Sequence, residues 1–253
     1  MLQRCPGLLP GSIGFAGKGT LPTLISGGHL PLVEKECRAM SVRFLWAVLA
    51  MAVVVTASNF LVQYPVEGQI GALDLAEILT WGAFTYPVAF LVNDFTNRQF
   101  GPAAARKVVL VGFAIAVVIS FILATPRIAM ASGAAFLSAQ LLDTTIFSRL
   151  RAARWWKAPL VASLAGSVID TLLFFGIAFS ASFGFIDSAL GVPDSSLAFA
   201  VPLFSLLPLD VPLWVSLALG DFSIKVVMAF VLLAPYRALL KALPDRYLGT
   251  TLA

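Results

Sequence analysis

The sequence predicts an all-α integral membrane protein, built as a six-transmembrane-helix bundle with both termini in the cytoplasm. Of its 253 residues, 59% are hydrophobic and only 12% are charged, whereas a soluble domain carries roughly 25% charged residues. Six apolar segments are long enough to cross a bilayer, and the basic residues between them are distributed very unequally. This composition argues against soluble globular, disordered and fibrous proteins.

The first 39 residues differ from the rest, because prolines and glycines break their apolar runs. They show no clear basic start, unbroken apolar stretch and cleavage site of a secretory signal. We predict that residues 1–39 are a disordered extension or a mis-assigned start, with Met40 as the initiator. Residues 40–253 form the predicted membrane domain.

A spanning helix needs about 20 mostly apolar residues, and six segments meet this requirement. Prolines and glycines mark the breaks between them, and a long outer loop, residues 183–210, separates the last two. In the fourth segment, alanines at every fourth position predict a face for close helix packing. The predicted helices cover residues 44–62, 73–92, 103–124, 128–147, 156–179 and 211–233, and the alanines are Ala131, Ala135 and Ala139.

The basic residues predict the orientation. With the amino terminus inside, eleven of them face the cytoplasm and Arg127 alone faces outside. The opposite topology reverses this ratio and violates the positive-inside rule. Because these residues form no sustained run, they do not predict nucleic-acid binding. The eleven are Arg43, Arg98, Arg106, Lys107, Arg149, Arg151, Arg154, Lys157, Arg237, Lys241 and Arg246.

Cysteine and histidine are scarce. Cys5 and Cys37 lie ahead of the apolar segments, and His29 is the one histidine. A disulfide within the bundle is therefore excluded, and a histidine-based metal centre or Ser-His pair has too few residues. We expect no metal, no cofactor and no catalytic residues.

Several ionisable residues lie at membrane depth, where each costs at least ~2.5 to 3.5 kcal/mol. Asp170 lies midway through the fifth segment, Asp221 and Lys225 midway through the sixth, and Gln140 and Asp143 in the fourth. Three acids facing one base predict a polar, water-accessible cavity rather than a dry bundle. An intrahelical ion pair between Asp221 and Lys225, four residues apart, is the alternative.

Other polar residues lie nearer the membrane edges. Asp94, at the inner end of the second segment, is equally well explained as a helix-end cap, an ion pair with Arg98, or a ligand contact. Asn59 and Gln63 add polar groups near the outer end of the first segment.

Ordered motifs run through the membrane body from about Ser58 to Leu240. They are Ser58-Asn59-Phe60-Leu61-Val62-Gln63, Thr80-Trp81-Gly82-Ala83-Phe84 with Pro87, Asp94 and Arg98, Gln140-Leu141-Leu142-Asp143, Trp155-Trp156, Asp170-Thr171 with Phe174-Phe175, and Asp221 with Lys225 and Pro235. In this order the set resembles the queuosine precursor transporter family, also called the vitamin uptake transporter family.

The resemblance implies import of 7-cyano-7-deazaguanine or 7-aminomethyl-7-deazaguanine at the inner membrane, for salvage into tRNA queuosine. Such a base presents two parallel donors that one carboxylate can accept. We predict that Asp143 and Asp170 contact this substrate or organise the residues that do, with Gln140 orienting it and Lys225 balancing charge. The full candidate set is Asp143, Asp170, Gln140, Asp221, Lys225, Asp94, Asn59 and Gln63.

Two alternatives remain. A substrate-capture subunit of an ATP-driven complex would carry a small-residue docking patch on its first helix, and no clean alanine pair occurs there. An intramembrane prenyltransferase would need acidic motifs on two loops to hold magnesium, and residues 93–97 resemble only one of them weakly. The expected partners are a deazapurine substrate and the lipid bilayer, with proton coupling left open and no oligomeric state indicated.

Overall fold

A computed structural model describes the backbone of residues 30–71 and 73–242 and the side chains from Val42 onward. The chain divides into two units, residues 1–46 and 47–253, and the account below concerns the second. The structure does not describe residues 1–29, so most of the predicted disordered extension lies outside the described residues. Residues 30–39 belong to the first helix.

The described part of the chain is mostly helical, with two short β-hairpins. In chain order the elements are α1 (Leu30–Leu61), β1 (Gln69–Ile70), β2 (Leu73–Asp74), a 3-10 turn (Leu75–Glu77), α2 (Trp81–Thr85), α3 (Val88–Phe100), α4 (Pro102–Leu123), α5 (Pro126–Leu150), α6 (Lys157–Phe179), a second 3-10 turn (Ala181–Phe183), α7 (Phe185–Leu190), β3 (Ala200–Leu203), β4 (Leu207–Pro212), α8 (Leu213–Val231) and α9 (Leu233–Lys241).

Four helical stretches among the described residues are long and apolar enough to cross a membrane. They are Val42–Leu61, Pro102–Leu123, Lys157–Phe179 and Leu213–Lys241. Helix α5 is 25 residues long, but it buries Arg127, Gln140 and Asp143, which lower its hydropathy. The protein is therefore an α-helical membrane protein.

The second predicted helix, residues 73–92, differs from the structure. Its first half is extended or 3-10, and backbone bonds of 3.0 Å join Val66 N–H to the Leu79 carbonyl and Trp81 N–H to the Tyr64 carbonyl. Its second half is split between α2 and α3 at Pro87. Proline has no N–H to continue the helical ladder, so one continuous helix cannot form here.

Proline also shapes the last helix pair and the starts of two others. Pro235 cannot donate to Val231, and the helix breaks at Leu232 between α8 and α9. Helix α4 begins with Pro102 after Gly101, whose φ of 85° glycine adopts readily. Helix α5 begins at Pro126, where the Thr125 hydroxyl accepts a bond from Ile128 N–H.

Helices α5 and α6 form the centre of the bundle and pack most extensively on each other. The predicted alanine face of α5 is confirmed as a packing face, because Ala131, Ala135 and Ala139 are at most 2% exposed. Small residues on α6, including Ala162 and Gly166, are also buried. Small side chains let the two backbones approach closely.

The two ends of the bundle are identified by their arginines. Arg127 meets the carboxyl-terminal end of α6, whereas Arg98 meets Arg151, ahead of the start of α6. The 23 residues of α6 separate these ends by about 35 Å, at 1.5 Å per residue. We call them the Arg127 end and the Arg98 end.

The predicted loop between the last two spanning segments has structure of its own. It contains the second 3-10 turn, α7 and the antiparallel hairpin of β3 and β4, in which Ala200 pairs with Pro212. At the tip of the hairpin, Ser205 Oγ donates to Glu77 Oε2 at 3.2 Å. The loop therefore contacts the segment that precedes α2.

Candidate substrate-binding site

A cavity of about 560 Å³ lies between α1, α2, α4, α5, α6 and α8. This volume falls within the range of small-molecule sites, which is about 300 to 1,000 Å³. The cavity reaches the exposed residues Gln63, Glu77 and Thr125 towards the Arg127 end. Its aromatic lining consists of Tyr86, Phe136, Phe174, Phe175 and Phe179.

Three charged side chains at the deep side of the cavity form one cluster. Lys225 Nζ donates to Asp170 Oδ2 at 2.6 Å and also pairs with Asp221. Thr171 Oγ1 accepts from Lys225 at 3.3 Å and donates to Asp221 Oδ2 at 3.2 Å. Lys225 therefore makes the intrahelical pair with Asp221 and also balances Asp170 from another helix, so both predicted interpretations hold together.

Tyr86 completes the cluster from the end of α2. Its hydroxyl donates to Asp170 Oδ1 at 2.7 Å, and Lys225 Nζ lies 5.3 Å from its ring centroid. The sequence did not single out Tyr86, although it follows the predicted Thr80 to Phe84 motif and precedes Pro87. Pro87 separates α2 from α3, and the Tyr86 ring lies at this break, beside α6 and α8.

The charges of this cluster do not cancel. Asp170 and Asp221 carry two negative charges when ionised, and Lys225 supplies one positive charge at this point. All three line the cavity, so with both acids ionised its deep side carries an excess of one negative charge. A ligand with hydrogen-bond donors or a positive charge complements this surface.

Asn59 and Gln63 line the same cavity, on α1 and just after it. Asn59 Oδ1 accepts from Ser120 Oγ at 2.8 Å, and Asn59 Nδ2 donates to the Val55 carbonyl at 2.9 Å. Gln63 Nε2 reaches the Asn59 carbonyl only at 3.5 Å. The Gln63 amide is thus held by fewer and longer hydrogen bonds than the Asn59 amide, and it is the more available of the two to bind a ligand.

The other three predicted site residues lie elsewhere, in an inner polar cluster formed by Asp94, Asn93, Gln140, Asp143 and Thr144. All five are at most 1% exposed, and none lines the large cavity. Asn93 Nδ2 donates to Asp143 Oδ2 at 2.8 Å and to Thr144 Oγ1 at 2.9 Å. Asp143 and Gln140 are therefore separated from the cavity as it stands.

Asn93 was also missed by the sequence reasoning. The signal was its spacing, since Asn93 and Asn97 are four residues apart and share one face of α3. Asn97 Nδ2 donates to the Thr144 carbonyl and to Ser148 Oγ, each at 3.0 Å. The two amides thus join α3 to α5.

Arg98 is buried below the inner polar cluster and is engaged by neutral groups. Its Nε donates to the Tyr236 hydroxyl at 3.1 Å, and its Nη1 donates to the Arg151 carbonyl at 2.7 Å. Burial, and secondarily the charge of Arg98, lower the pKa of Arg151. Among the described residues no ion pair within 4 Å joins Arg98 to Asp94, so that predicted alternative is not seen.

A separate network anchors α7 and the loop after it at the Arg127 end. Arg127 is fully buried, and its Nη1 donates to Asp187 Oδ2 at 2.9 Å and to Asp194 Oδ1 at 3.4 Å. The Ser195 backbone N–H, together with Arg127, holds the pKa of Asp187 below its usual range. The residues described contain no group of three His, Cys, Asp or Glu side chains that could hold a metal ion.

Comparisons with known proteins identify relatives of this chain. A family model described as a putative vitamin uptake transporter matches residues 80–125 and 120–239. The queuosine precursor transporter of Escherichia coli (strain K12) is 34% identical, with 79% of this chain and 88% of that protein covered. No solved structure matches the chain.

Two further relatives are each named as a probable queuosine precursor transporter. The probable queuosine precursor transporter of Haemophilus influenzae is 35% identical over 53% of this chain and 69% of its own. That of Bacillus subtilis is 26% identical over 40% of this chain and 56% of its own.

Proposed function

Because the chain belongs to the putative vitamin uptake transporter family, we propose that it imports queuosine precursors for salvage into tRNA queuosine. Its substrates are 7-cyano-7-deazaguanine, 7-aminomethyl-7-deazaguanine, or both. The protein is a transporter and not an enzyme. The observation that carries the proposal is the aromatic cavity with two carboxylates on one ammonium at its deep side.

The chemistry of a deazaguanine fits this cavity. Its ring N–H and exocyclic amine are parallel donors that one carboxylate accepts together, and Asp170 or Asp221 offers such an acceptor. Lys225 keeps the second carboxylate neutralised, and it can donate to the ring carbonyl in exchange for its 3.3 Å bond to Thr171. Flat bases also stack on aromatic side chains, and Phe174, Phe175 and Phe179 line the cavity wall.

The candidate residues then divide into two groups. Asp170, Asp221, Lys225, Asn59 and Gln63 contact the substrate, since they line the cavity. The buried set of Asp143, Gln140 and Asp94 organises the helices beneath it and becomes reachable only when the bundle changes conformation.

The membrane arrangement is part of the proposal. The chain crosses the bacterial inner membrane six times with both termini in the cytoplasm, so the cavity faces outward at the Arg127 end. The distribution of basic residues supports this orientation. The short α2 and α3 together replace the second spanning helix, and α5 provides the fourth.

Uptake in cells tests the proposal. A host unable to make the precursors, expressing this chain alone, should regain tRNA queuosine when given limiting 7-cyano-7-deazaguanine or its aminomethyl analogue. Asp170→Asn should lose this recovery, because an amide cannot accept both donors. Asp210→Asn, an exposed acid on β4, is the matched control.

Three results would contradict this account. No recovery with either compound refutes the substrate assignment, provided that the protein is present in the membrane. Recovery that needs a co-expressed ATPase identifies the chain as a capture subunit instead. Equal recovery with Asp170→Asn and Asp210→Asn removes Asp170 from the binding site.

A further inference from the structure

Two buried carboxyl groups face each other between α3 and α5, away from the large cavity. Asp94 is 1% exposed and Asp143 is fully buried. Asn93, next to Asp94 in the chain, donates to Asp143, so the two carboxyl groups are direct neighbours that can hydrogen-bond. Two carboxylates in such contact repel strongly, so the pair retains a proton that one acid donates to the other.

The remaining contacts of the pair show where that proton belongs. Asp143 Oδ2 accepts from Asn93 Nδ2 at 2.8 Å, and Asp94 Oδ2 accepts from Ser163 Oγ at 3.4 Å. The other oxygen of each acid, Oδ1, is buried and meets no donor within the described residues. A shared proton supplies the missing donor, whereas two unprotonated acids would leave both oxygens unsatisfied at a considerable cost.

The charges around the pair favour a single proton. Arg98, one turn from Asp94 on α3, acts on it as a cation, while its Nε and Nη1 donate to Tyr236 and Arg151. One proton leaves the two acids with one negative charge, which Arg98 balances. A second proton would leave Arg98 without a counter-charge.

A cavity of about 10 Å³ adjoins Asp94, with room for about one water molecule. Its lining includes Ser163 and Ser167 from α6, Lys225 from α8 and Tyr236 from α9. Lys225 also lines the large cavity. The one ammonium of the cavity cluster therefore lies between the substrate cavity and the acid pair.

We propose that Asp94 and Asp143 bind one exchangeable proton, at a site distinct from the substrate cavity, and that Lys225 couples this proton to substrate binding. This inference rests on the proposed transport function. When the proton is bound, the acid pair and Arg98 are neutral together, and Lys225 remains on Asp170 and Asp221.

Loss of the proton adds one negative charge on the Asp94 side of Lys225. The ammonium is drawn towards that charge across the small cavity, and the two carboxylates of the large cavity lose their counter-charge. A neutral ligand cannot replace it. Proton binding and binding of 7-cyano-7-deazaguanine therefore favour each other.

Infrared difference spectroscopy on the full-length protein in lipid vesicles tests the proton site without any ligand. Raising the pH should abolish a carbonyl stretching band of a protonated carboxylic acid. Asp94→Asn and Asp143→Asn should each lack this band, because an amide can donate to the remaining carboxylate in place of the proton. This substitution also preserves the hydrogen bond, so both variants should fold.

Two further variants serve as controls in the same infrared experiment. Asp170→Asn removes a carboxyl group of the large cavity and should retain the band, as should Asp210→Asn. Absence of the band from the unaltered protein overturns the proposal. Its persistence in both Asp94→Asn and Asp143→Asn also overturns it, since the proton would then belong to another group.

Binding of 7-cyano-7-deazaguanine tests the coupling. Its affinity for the unaltered protein should fall about 5-fold or more from mildly acidic to mildly alkaline pH, the lower range of typical coupling between sites. Asp94→Asn should remove this pH dependence, and Asp210→Asn should keep it. An equal pH dependence in both variants contradicts coupling through the acid pair.

The two proposals can fail separately. If the substrate is a different compound, the infrared band and its loss in the two asparagine variants remain, because no ligand is present. If the acid pair holds no proton, the band is absent while recovery of tRNA queuosine persists.

Discussion

At the residue scale, the side chain that matters most to the cavity is Lys225. It is 3% exposed and contacts Asp170, Asp221 and Thr171. Removing one partner from a buried ion pair is costly, because it leaves an uncompensated charge. The same ammonium both stabilises the fold and contributes to the charge at the deep side of the cavity.

Lys225→Met, which keeps the length and apolar stem of the side chain, should therefore lower stability. We expect the free energy of unfolding to fall by about 3 to 5 kcal/mol, as measured by denaturant unfolding in detergent. Lys241→Met, at the exposed end of α9, is the matched control. Equal stability of the two variants would show that Asp170 and Asp221 do not depend on Lys225.

Asp187 is the residue whose ionisation is most clearly tied to the loop at the Arg127 end. A donor from the Ser195 backbone and the Arg127 guanidinium hold its pKa below the ordinary value. Because the pKa is lower in the folded protein, ionised Asp187 stabilises the fold at and above that ordinary value, about 3.9. This contribution disappears as the pH falls through the lowered value.

Asp187→Asn should consequently reduce the free energy of unfolding at neutral pH, and the difference from the unaltered protein should shrink in acid. Unfolding curves across this pH range measure both quantities. Asp210→Asn, also in the loop, is the matched control. A difference that stays constant with pH would mean that the charge of Asp187 is not what holds the loop.

At the element scale, the decisive feature is the short helix α2. Backbone pairing of Val66 with Leu79 holds the chain ahead of it extended, and Pro87 separates it from α3. Its Gly82 lies against the backbone that follows α1, so that an added Cβ would come within 2.8 Å of Val62 Cα. This close approach brings Tyr86 to the cavity.

Gly82→Ala should therefore destabilise the protein by about 1 to 3 kcal/mol, the usual cost of overpacking. Gly176→Ala on α6, where an added Cβ meets nothing within 4 Å, should instead stabilise by roughly 0.5 to 1 kcal/mol. Thermal or denaturant unfolding of the two variants provides the comparison. If both change stability in the same direction, the contact with Val62 is not a constraint.

At the scale of the whole molecule, the polar groups fall into three levels along α6. The Arg127 network lies at one end, the Lys225 cluster at mid-depth, and the inner polar cluster with Arg98 at the other end. The large cavity opens towards the Arg127 end and reaches Lys225 at mid-depth. A carrier that is open on one side and closed on the other has this organisation.

The proposed orientation can be checked by cysteine labelling. In a background with Cys5 and Cys37 replaced by serine, Ser188→Cys on exposed α7 should react with a membrane-impermeant maleimide in intact cells. Arg154→Cys, in the exposed turn before α6, should react only after permeabilisation. The reverse pattern would place the Arg98 end outside and invert the topology.

The placement of residues along one helix could be predicted, because helical spacing alone sets it. The pairing of Asp221 with Lys225 and the packing of Ala131, Ala135 and Ala139 are of this kind. Contacts between distant segments could not be predicted in this way. Tyr86 and Asp170, for example, are 84 positions apart in the chain. For the same reason the sequence assigned Asp143 and Asp170 to one substrate cavity, whereas Asp143 lies with Asp94 and Asn93 outside it.

The sequence by itself determined that this chain is a helical membrane protein of the vitamin uptake transporter family. Apolar length and motif order are local properties, and they can be read residue by residue. Only the tertiary structure decided which acids share a base and which lie together in the inner polar cluster. That division depends on how α3, α5, α6 and α8 turn their polar faces towards one another, and helical periodicity carries no information about rotation between helices.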